Sequence, residues 1–270
     1  IDVDNYIHQN SSSNWMSHYE KMVDNFVTGI IALNEESIAQ MRAAGWKSNI
    51  YNVSGVPFNK ERVLKTLDYK LKPFNDRHMR VVLASGWNKE NQPEFYMDFA
   101  EEWHKRFGNN VEFVVTSDTL IHTNDMGLMD RTFKLIDENK LVILENLDSI
   151  DLVNLLNNSR VLFSCSLQDT VCFNKMNVAD AAGCNLLVPS YKGYSEMLSN
   201  DYTRMYVAWS VEEAITKIHT LLQHPHPKLG ELCEWSDNVI DRTLNVLEGK
   251  GKKLLRNNFE HRRKLRVGKY

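Results

Sequence analysis

The stretch RVLFSCSLQDTVCFNKMNVADAAGCNLLVPSYKGYSE at Arg160–Glu196 decides the fold. It contains two short apolar runs of strand length, and each run leads through a polar segment to the start of a helix. The first helix ends in a run of small residues and a Gly-Cys turn, which favours close packing of that helix on a sheet. Short apolar strands that alternate with helices predict a parallel sheet covered on both faces.

The alternation extends along most of the chain, and VVLASGWNKENQPEF at Val81–Phe95 again reads as strand, glycine turn and helix start. The predicted strands are Thr28–Asn34, Asn49–Gly55, Val81–Ser85, Val111–Ser117, Leu141–Leu144, Arg160–Ser164, Asn185–Pro189 and Arg204–Ala208. The predicted helices are Trp15–Phe26, Glu35–Ala44, Pro93–Phe107, Asp125–Asn139, Ser149–Asn158, Asn174–Ala182, Tyr194–Ser199 and Val211–Gln223, besides one early in Asn59–Arg80 and terminal helices over Gly230–Leu247. We expect an α/β fold, a Rossmann-like doubly wound parallel sheet with right-handed crossovers.

The pattern divides the chain into three parts. Residues 1–56 hold only two strands and two helices, so they predict the tail end of an N-terminal Rossmann-like domain. Residues 57–248 hold a complete Rossmann-like domain, and residues 249–270 form a basic tail. The chain begins with Ile1, not Met. We expect the missing N-terminal half to lie in the same longer chain or in a partner chain.

Composition limits the class of protein. The chain has 270 residues, 43% of them hydrophobic, which is enough for a large core. The polar, acidic start predicts no signal peptide, and no apolar run approaches the roughly 20 residues of a membrane span. The cysteines lack metal-ligand and CxxC spacing, so we expect buried reduced thiols and a cytoplasmic location. They are Cys165, Cys172, Cys184 and Cys233.

Charge is unevenly distributed. The whole chain has a net charge of −3, yet Gly249–Tyr270 carries nine basic residues against Glu260 alone, a net charge of +8. The remainder therefore has a net charge of −11. Such asymmetry suggests a tail for an anionic partner, with nucleic acid as one possibility. A terminal amphipathic helix that packs on the acidic body, or a contact with a lipid surface, explains it equally.

Two segments that follow strands carry candidate binding residues for a phosphorylated ligand. In the first, Gly86 allows close backbone approach, Lys89 adds a positive charge, and Pro93 suits the first turn of a helix whose amino end attracts phosphate. A plain strand–helix turn with Trp87 packed on the sheet is the alternative. In the second, Asp169 can accept hydrogen bonds from sugar hydroxyls and Thr170 can meet a phosphate, although Asp169 also suits a helix cap.

A third segment after a strand repeats the pattern of glycine and helix start. Gly193, Tyr194 and Glu196 lie there, although a Glu in the first turn also stabilises the helix dipole alone. Nearer the start of the chain, His8 is a candidate for a cleft between domains, with an ordinary surface or core position as the alternative. The pair His224 and His226 flanks prolines, and we expect no metal site there.

From about Asp24 to Leu247 the sequence resembles the nucleotide-sugar glycosyltransferases of the two-Rossmann-domain (GT-B) type, in the retaining glycogen-synthase-like group (GT4-like). The match corresponds to roughly the C-terminal half of such an enzyme. The segments that carry it are DNFVTGIIALNEESIAQMRAAG, NVSGVPF, VVLASGWNKENQPEF, SCSLQDTVCFNKMNVADAAGC and PSYKGYSE. In addition, YIHQN is similar to a segment of the subgroup that includes the tRNA-queuosine mannosyltransferases.

The resemblance implies a glycosyltransferase whose donor is a nucleoside-diphosphate sugar, with retention of anomeric configuration. We expect no metal, because helix ends and Lys89 can neutralise the leaving group. The resemblance also implies that Gly86, Trp87 and Lys89 face the diphosphate, and that Asp169 and Thr170 face sugar or phosphate. Further implied contacts are His8 with the transferred sugar, Gly193 and Tyr194 in the donor loop, Glu196 with the ribose hydroxyls, and Asn146–Ser149 with the base.

The sequence departs from the family at its charged positions. The arginine of the family falls on Gly86, its lysine on Asn91, its first glutamate on Asp169 or Thr170, and its second on Asn177 or Val178. A non-catalytic binding module that has lost these charges is therefore the alternative function. A dinucleotide-dependent oxidoreductase is disfavoured because no GxGxxG follows a predicted strand.

Overall fold

The computed structural model describes residues 29–43, 47–53, 55, 58–83, 87, 91–117, 126–166, 174–191 and 193–249. The chain divides into two compact units, Ile1–Pro57 together with Trp235–Tyr270, and Phe58–Glu234. The sequence predicted that the first domain ends at residue 56, and the first unit's initial segment ends one residue later. The sequence also predicted that the second domain extends to residue 248, whereas the second unit ends at Glu234. A single continuous helix, Glu231–Leu247, carries the chain from one unit into the other.

The first unit contains one βαβ element. Strand β1 (Ile30–Ala32), helix α1 (Glu35–Ala43) and strand β2 (Ile50–Asn52) follow one another, and the two strands pair in parallel. Later in the chain, the Arg242 side chain donates to the carbonyl oxygen of Val53 at 2.5 Å, which ties the terminal helix to the end of β2. The predicted helix Trp15–Phe26 lies outside the described residues.

The second unit is built on a six-stranded parallel sheet. Its strands are β3 (His78–Leu83), β4 (Glu112–Ser117), β5 (Val142–Glu145), β6 (Ser159–Phe163), β7 (Asn185–Pro189) and β8 (Met205–Tyr206). Its helices are α2 (Lys60–Thr66), α3 (Pro93–Phe107), α4 (Met126–Asp137), α5 (Ser149–Asn157), α6 (Asn174–Ala181), α7 (Tyr194–Met197) and α8 (Val211–Gln223), and α9 (Glu231–Leu247) begins in it. The predicted Rossmann-like class is confirmed.

The strand order is β5-β4-β3-β6-β7-β8, and all neighbours are parallel. The chain starts in the middle of the sheet, proceeds outward to β5, and returns to begin the second half at β6. The direction of winding therefore reverses between β3 and β6. In open α/β sheets, ligands bind outside the carboxyl ends of the strands at such a switch point.

An aromatic cluster fills the space between the sheet and α3. Phe99 lies 4.9 Å from Phe163 of β6 and 5.4 Å from Phe113 of β4, measured between ring centroids. Tyr96 and Trp103 complete the cluster, and both are buried. Helix α8 packs against α3 on this face, whereas α2, α5 and α6 contact one another. Both faces of the sheet are thus covered, as the short apolar strands predicted.

A buried arginine holds the amino ends of β3 and β7 together. Arg77 donates from Nε and Nη2 to the carbonyl oxygen of Lys72 at 2.9 and 2.8 Å, and from Nη1 to that of Gly183. Burial lowers the pKa of the guanidinium. Gly183 has φ +75°, and a Cβ there would lie 2.6 Å from Nη2 of Arg77. Only glycine satisfies both the backbone conformation and the available space.

His226 organises the amino ends of β7 and β8. Its Nδ1 accepts from the backbone N–H of Lys228 at 3.1 Å, and its Nε2 lies 2.8 Å from the hydroxyl of Thr203. The backbone N–H of His226 donates to Asn185 at 2.8 Å. Burial is the main cause that lowers the pKa of His226, and the charge of Arg204 adds to it. The network therefore requires the neutral imidazole.

Cys165 and Cys184 are buried free thiols, as expected. Burial raises the pKa of both, that of Cys184 to about 12. Cys172 and the side chain of Cys233 lie outside the described residues. Among the helices that the structure describes, none combines the length and apolar character that crossing a membrane requires.

Candidate functional site

Three candidate segments begin at neighbouring strand ends. Strand β6 pairs with β3 on one side and with β7 on the other. Because all three strands are parallel, their carboxyl ends lie side by side at one edge of the sheet, which we call the carboxyl edge. Residues 84–92, 164–173 and 190–193 follow these ends. The sequence predicted this arrangement, and the strand order confirms it for the strand ends.

The segment after β3 is anchored by Trp87. Its side chain is 2% exposed, and the indole N–H donates to the hydroxyl of Thr132 on α4 at 3.1 Å. Thr132 in turn donates to the carbonyl oxygen of Leu128 at 2.7 Å. The indole therefore faces the core and not a ligand, so only the backbone of Trp87 is left for the predicted diphosphate contact. Gly86 and Lys89 lie outside the described residues.

Helix α3 begins at the carboxyl edge. Asn91 is half-buried just before it, Gln92 has a left-handed φ of +54°, and Pro93 occupies the first turn. The free N–H groups at this end of a 15-residue helix favour an anion. Glu94 in the same turn is exposed and opposes that attraction. The net electrostatic contribution of this helix end to binding a diphosphate is therefore modest.

Two buried tyrosines support the segment after β6. The hydroxyl of Tyr194, whose side chain is 1% exposed, lies 3.3 Å from the hydroxyl of Ser164. The hydroxyl of Tyr206 donates to the carbonyl oxygen of Ser164 at 3.1 Å. Tyr206 thus holds the backbone of Ser164, where the chain leaves β6, and Tyr194 holds its side chain. The ring of Tyr194 does not face the solvent, so its predicted donor contact is left to the backbone.

Helix α6 carries buried polar residues. Asn177, one of the two positions onto which the resemblance places the family's second glutamate, is 1% exposed. Asp180 is buried one turn later and accepts from the backbone N–H of Gly230 at 2.9 Å. Asp180 therefore connects α6 to the start of α9 and does not serve the carboxyl edge.

Gly193 and Glu196 lie at the start of α7, after β7. Gly193 is buried with φ −66°, a conformation open to any residue, and Glu196 is half-buried in the first turn. Asn146 is exposed after β5, with φ +54°. Three strands separate β5 from β7, so Asn146 and Glu196 lie about 19 Å apart along the carboxyl edge at about 4.8 Å a strand. They lie on opposite sides of the switch point.

Five sequence-predicted site residues lie outside the described part of the chain, namely His8, Gly86, Lys89, Asp169 and Thr170. Within the described part, no group of three or more His, Cys, Asp or Glu side chains could hold a metal ion. The sequence reasoning missed Thr132, Ser164 and Tyr206 as supports of the site. Thr132 had a usable signal, since it is the polar member of the buried set Leu128, Thr132 and Leu135 on α4.

Comparison with known proteins identifies the fold of the chain. No family model matches the chain, and no curated protein does so either. HepE from Anabaena, solved in complex with UDP and glucose, superposes with a TM-score of 0.64 at 14% identity, over 88% of this chain and 67% of HepE. The chain has a GT-B glycosyltransferase fold. At this identity the likeness concerns the fold alone.

Further GT-B structures agree. Sucrose-phosphate synthase from Thermosynechococcus elongatus matches with a TM-score of 0.59 at 12% identity, over 93% of this chain and 63% of that one. A glycosyltransferase from Rickettsia africae matches with a TM-score of 0.57 at 16% identity, over 93% and 68%. The chain thus spans about two thirds of these GT-B proteins.

Proposed function

We propose that the chain carries the donor-binding domain of a glycosyltransferase, which moves a sugar from a nucleoside diphosphate to an acceptor. The observation that carries this proposal is the switch point between β3 and β6 in a GT-B fold. Polar segments follow both strands and the neighbouring β7. A GT-B relative in fold, HepE, was solved in complex with UDP and glucose.

A direction for the donor follows if the base binds at Asn146, and we propose that direction. A sugar nucleotide has a fixed linear order of base, ribose, diphosphate and sugar. With the diphosphate at the switch point and the base at Asn146 after β5, the sugar points toward β7. Glu196 then contacts the transferred sugar and not the ribose, contrary to the role that the family resemblance implied. A contact between Glu196 and the ribose would require the base to bind at a place other than the end of β5.

The proposed chemistry needs no metal. The bond between the anomeric carbon and the diphosphate oxygen breaks, the acceptor hydroxyl oxygen bonds to the anomeric carbon, and the hydroxyl proton passes to the departing diphosphate. Lys89 and the amino end of α3 stabilise the charge of the leaving diphosphate, Asp169 and Thr170 hold the sugar and phosphate, and His8 contacts the sugar. We propose retention and hexosyl or pentosyl transfer.

Binding of sugar nucleotides tests the proposal. Calorimetric titration of the chain with UDP-, GDP- and ADP-sugars should give saturable binding with at least one of them. Absence of binding to all of them at millimolar concentration would refute it. Binding without any sugar release or transfer would favour the non-catalytic module, which the neutral residues Asn177 and Val178 at the candidate positions of the family's second glutamate support.

A pair of variants tests the direction of the donor. Glu196→Gln should weaken binding of the sugar nucleotide about tenfold or more, because hydrogen bonds to a carboxylate contribute about 1.5–3 kcal/mol. It should leave binding of the free nucleoside diphosphate unchanged. Glu112→Gln, at the amino end of β4, is the matched control. An equal loss with the free diphosphate would place Glu196 at the ribose.

The acceptor and cellular setting are inferred from the sequence. The charge of +8 in Gly249–Tyr270 supports binding of nucleic acid, since contacts to phosphates dominate such binding, and it makes nucleic acid one candidate acceptor. Binding of DNA or RNA that weakens steeply with salt is expected, and no salt-dependent binding would remove this acceptor. We further propose a cytoplasmic protein whose first domain is completed by the rest of a longer chain or by a partner.

A further inference from the structure

Trp209 occupies an unusual turn beyond β8. The backbone N–H of Ser210 donates to the carbonyl oxygen of Val207 at 2.9 Å and closes the turn. Trp209 is its third residue, has φ +71°, and leaves 59% of its surface exposed. A positive φ at this position is typical of a type II turn and favours glycine. A bulky residue persists in such a conformation only where its surroundings impose it, which is common at ligand sites.

The indole of Trp209 is held by a stack of rings. It lies edge-on to Phe95 at 6.3 Å and 86°, and Phe95 stacks on Tyr206 at 5.7 Å and 2°. The hydroxyl of Tyr206 reaches the carbonyl oxygen of Ser164 after β6. The first residue of the turn is also held, because the Glu213 carboxylate accepts from the backbone N–H of Val207 at 2.7 Å. These contacts therefore fix the position of the exposed indole ring, which itself contributes little to the buried core.

The charges around Trp209 limit its ligand. Glu94 is exposed beside Phe95 in the first turn of α3, and Glu212 and Glu213 lie in the first turn of α8. The latter two are paired with Arg106 and Lys217, each at 2.6 Å. Carboxylates accept hydrogen bonds from hydroxyl groups, and the two ion pairs leave no net positive charge on these residues to attract a phosphate. The surroundings thus suit a neutral, hydroxylated ring better than a nucleic-acid backbone.

We propose that Trp209 is a stacking platform for a sugar ring of a carbohydrate acceptor. The inference rests on the proposed function. Strand β8 pairs with β7, so Trp209 lies one strand beyond the end where the transferred sugar is proposed to lie. The apolar C–H face of a sugar ring covers the indole, while its hydroxyls reach the neighbouring carboxylates. The acceptor is then carbohydrate and not nucleic acid.

The indole N–H signals in a ¹H–¹⁵N spectrum of the full chain give a direct test. The chain has six tryptophans, and the signal missing in Trp209→Phe identifies Trp209. Glucose, maltose and cellobiose are the probes. We expect a saturable shift of the Trp209 signal with at least one of them, and an affinity about tenfold lower in Trp209→Gly. Trp209→Phe keeps a ring and should retain most of the affinity.

The variants separate binding from folding. Glycine relieves the positive φ, so Trp209→Gly should melt no lower than the wild type and should bind the sugar nucleotide unchanged. Tyr202→Ala, which removes an exposed aromatic ring at the amino end of β8, is the matched control and should leave saccharide binding unaltered. A Trp209→Gly variant that loses sugar-nucleotide binding would place the ring at the donor and overturn the acceptor role.

Other outcomes are equally decisive. No shift of the Trp209 signal with any saccharide, or a shift with oligonucleotides alone, would overturn the inference. A dimer in solution that Trp209→Gly dissociates would assign the ring to an interface and overturn it as well. Saccharide binding at Trp209 without sugar-nucleotide binding would refute the proposed function while the saccharide site stands.

Discussion

Gly183→Ala should destabilise the second unit strongly, for two reasons that the structure separates. The residue has φ +75°, which costs a residue with a β-carbon about 1–2 kcal/mol. Its new Cβ would also lie 2.6 Å from Nη2 of Arg77. That guanidinium is held by carbonyl oxygens on both sides, so moving it loses a charged hydrogen bond of about 1.5–3 kcal/mol. The expected total is about 3–5 kcal/mol, or about 10 °C in melting temperature.

Gly108→Ala is the matched control. Gly108 has φ +70° and ψ −159°, a conformation that other residues rarely adopt, but a Cβ there would meet nothing within 4 Å, so only a conformational cost of about 1–3 kcal/mol applies. Urea unfolding of both variants gives the comparison. In an Arg77→Met background, the additional cost of Gly183→Ala should fall to that of Gly108→Ala. Equal losses in the two single variants would refute the role assigned to Arg77.

Three further changes test other parts of the structure. Trp87→Phe removes the donor to Thr132 and should lower the free energy of unfolding by about 1–3 kcal/mol in urea; an unchanged value would contradict the anchoring role. The pKa of His226 is lower in the folded than in the unfolded chain, so the unfolded chain takes up a proton first as the pH falls below about 6.5. The free energy of unfolding should therefore decline as the pH falls through this range and level off below the pKa that His226 has in the folded chain. His226→Asn should flatten this dependence on pH, and urea unfolding that gives the same pH dependence for both proteins between pH 5 and 8 would oppose the reasoning. Burial raises the pKa of Cys165 and Cys184, so iodoacetamide should label them only after unfolding, as peptide mass spectrometry can show; rapid labelling of the native chain would be the contrary result.

Much of the fold follows from the sequence because hydrophobic periodicity marks the elements. Pro93–Phe107, Val211–Gln223 and Asn185–Pro189 have the predicted bounds. Strand β3 begins earlier than predicted, at His78 instead of Val81, since the polar His78 and Arg80 interrupt the apolar run at its start. The backbone N–H of His78 donates to the carbonyl oxygen of Asn158, and such backbone pairing leaves no trace in side-chain hydrophobicity.

The site was harder to predict from the sequence, because the residues that hold it in place come from distant segments of the chain. Trp87 looked like a ligand contact, yet Thr132, which is 45 residues away along the chain, holds it in the core. The hydroxyl of Tyr194 likewise contacts the buried Ser164 and not a ligand. The strand order, and not a local motif, set Asn146 and Glu196 on opposite sides of the switch point. Only pairings between strands could supply that order.

A crystal structure of the chain with a bound UDP-sugar, or with the sugar nucleotide that titration selects, tests the central claim most directly. We predict density for the diphosphate outside the carboxyl ends of β3 and β6, between residues 84–92 and 164–173. Density for the sugar should extend toward Glu196. A nucleotide bound at the amino ends of the strands, on the side of Arg77, would contradict the account.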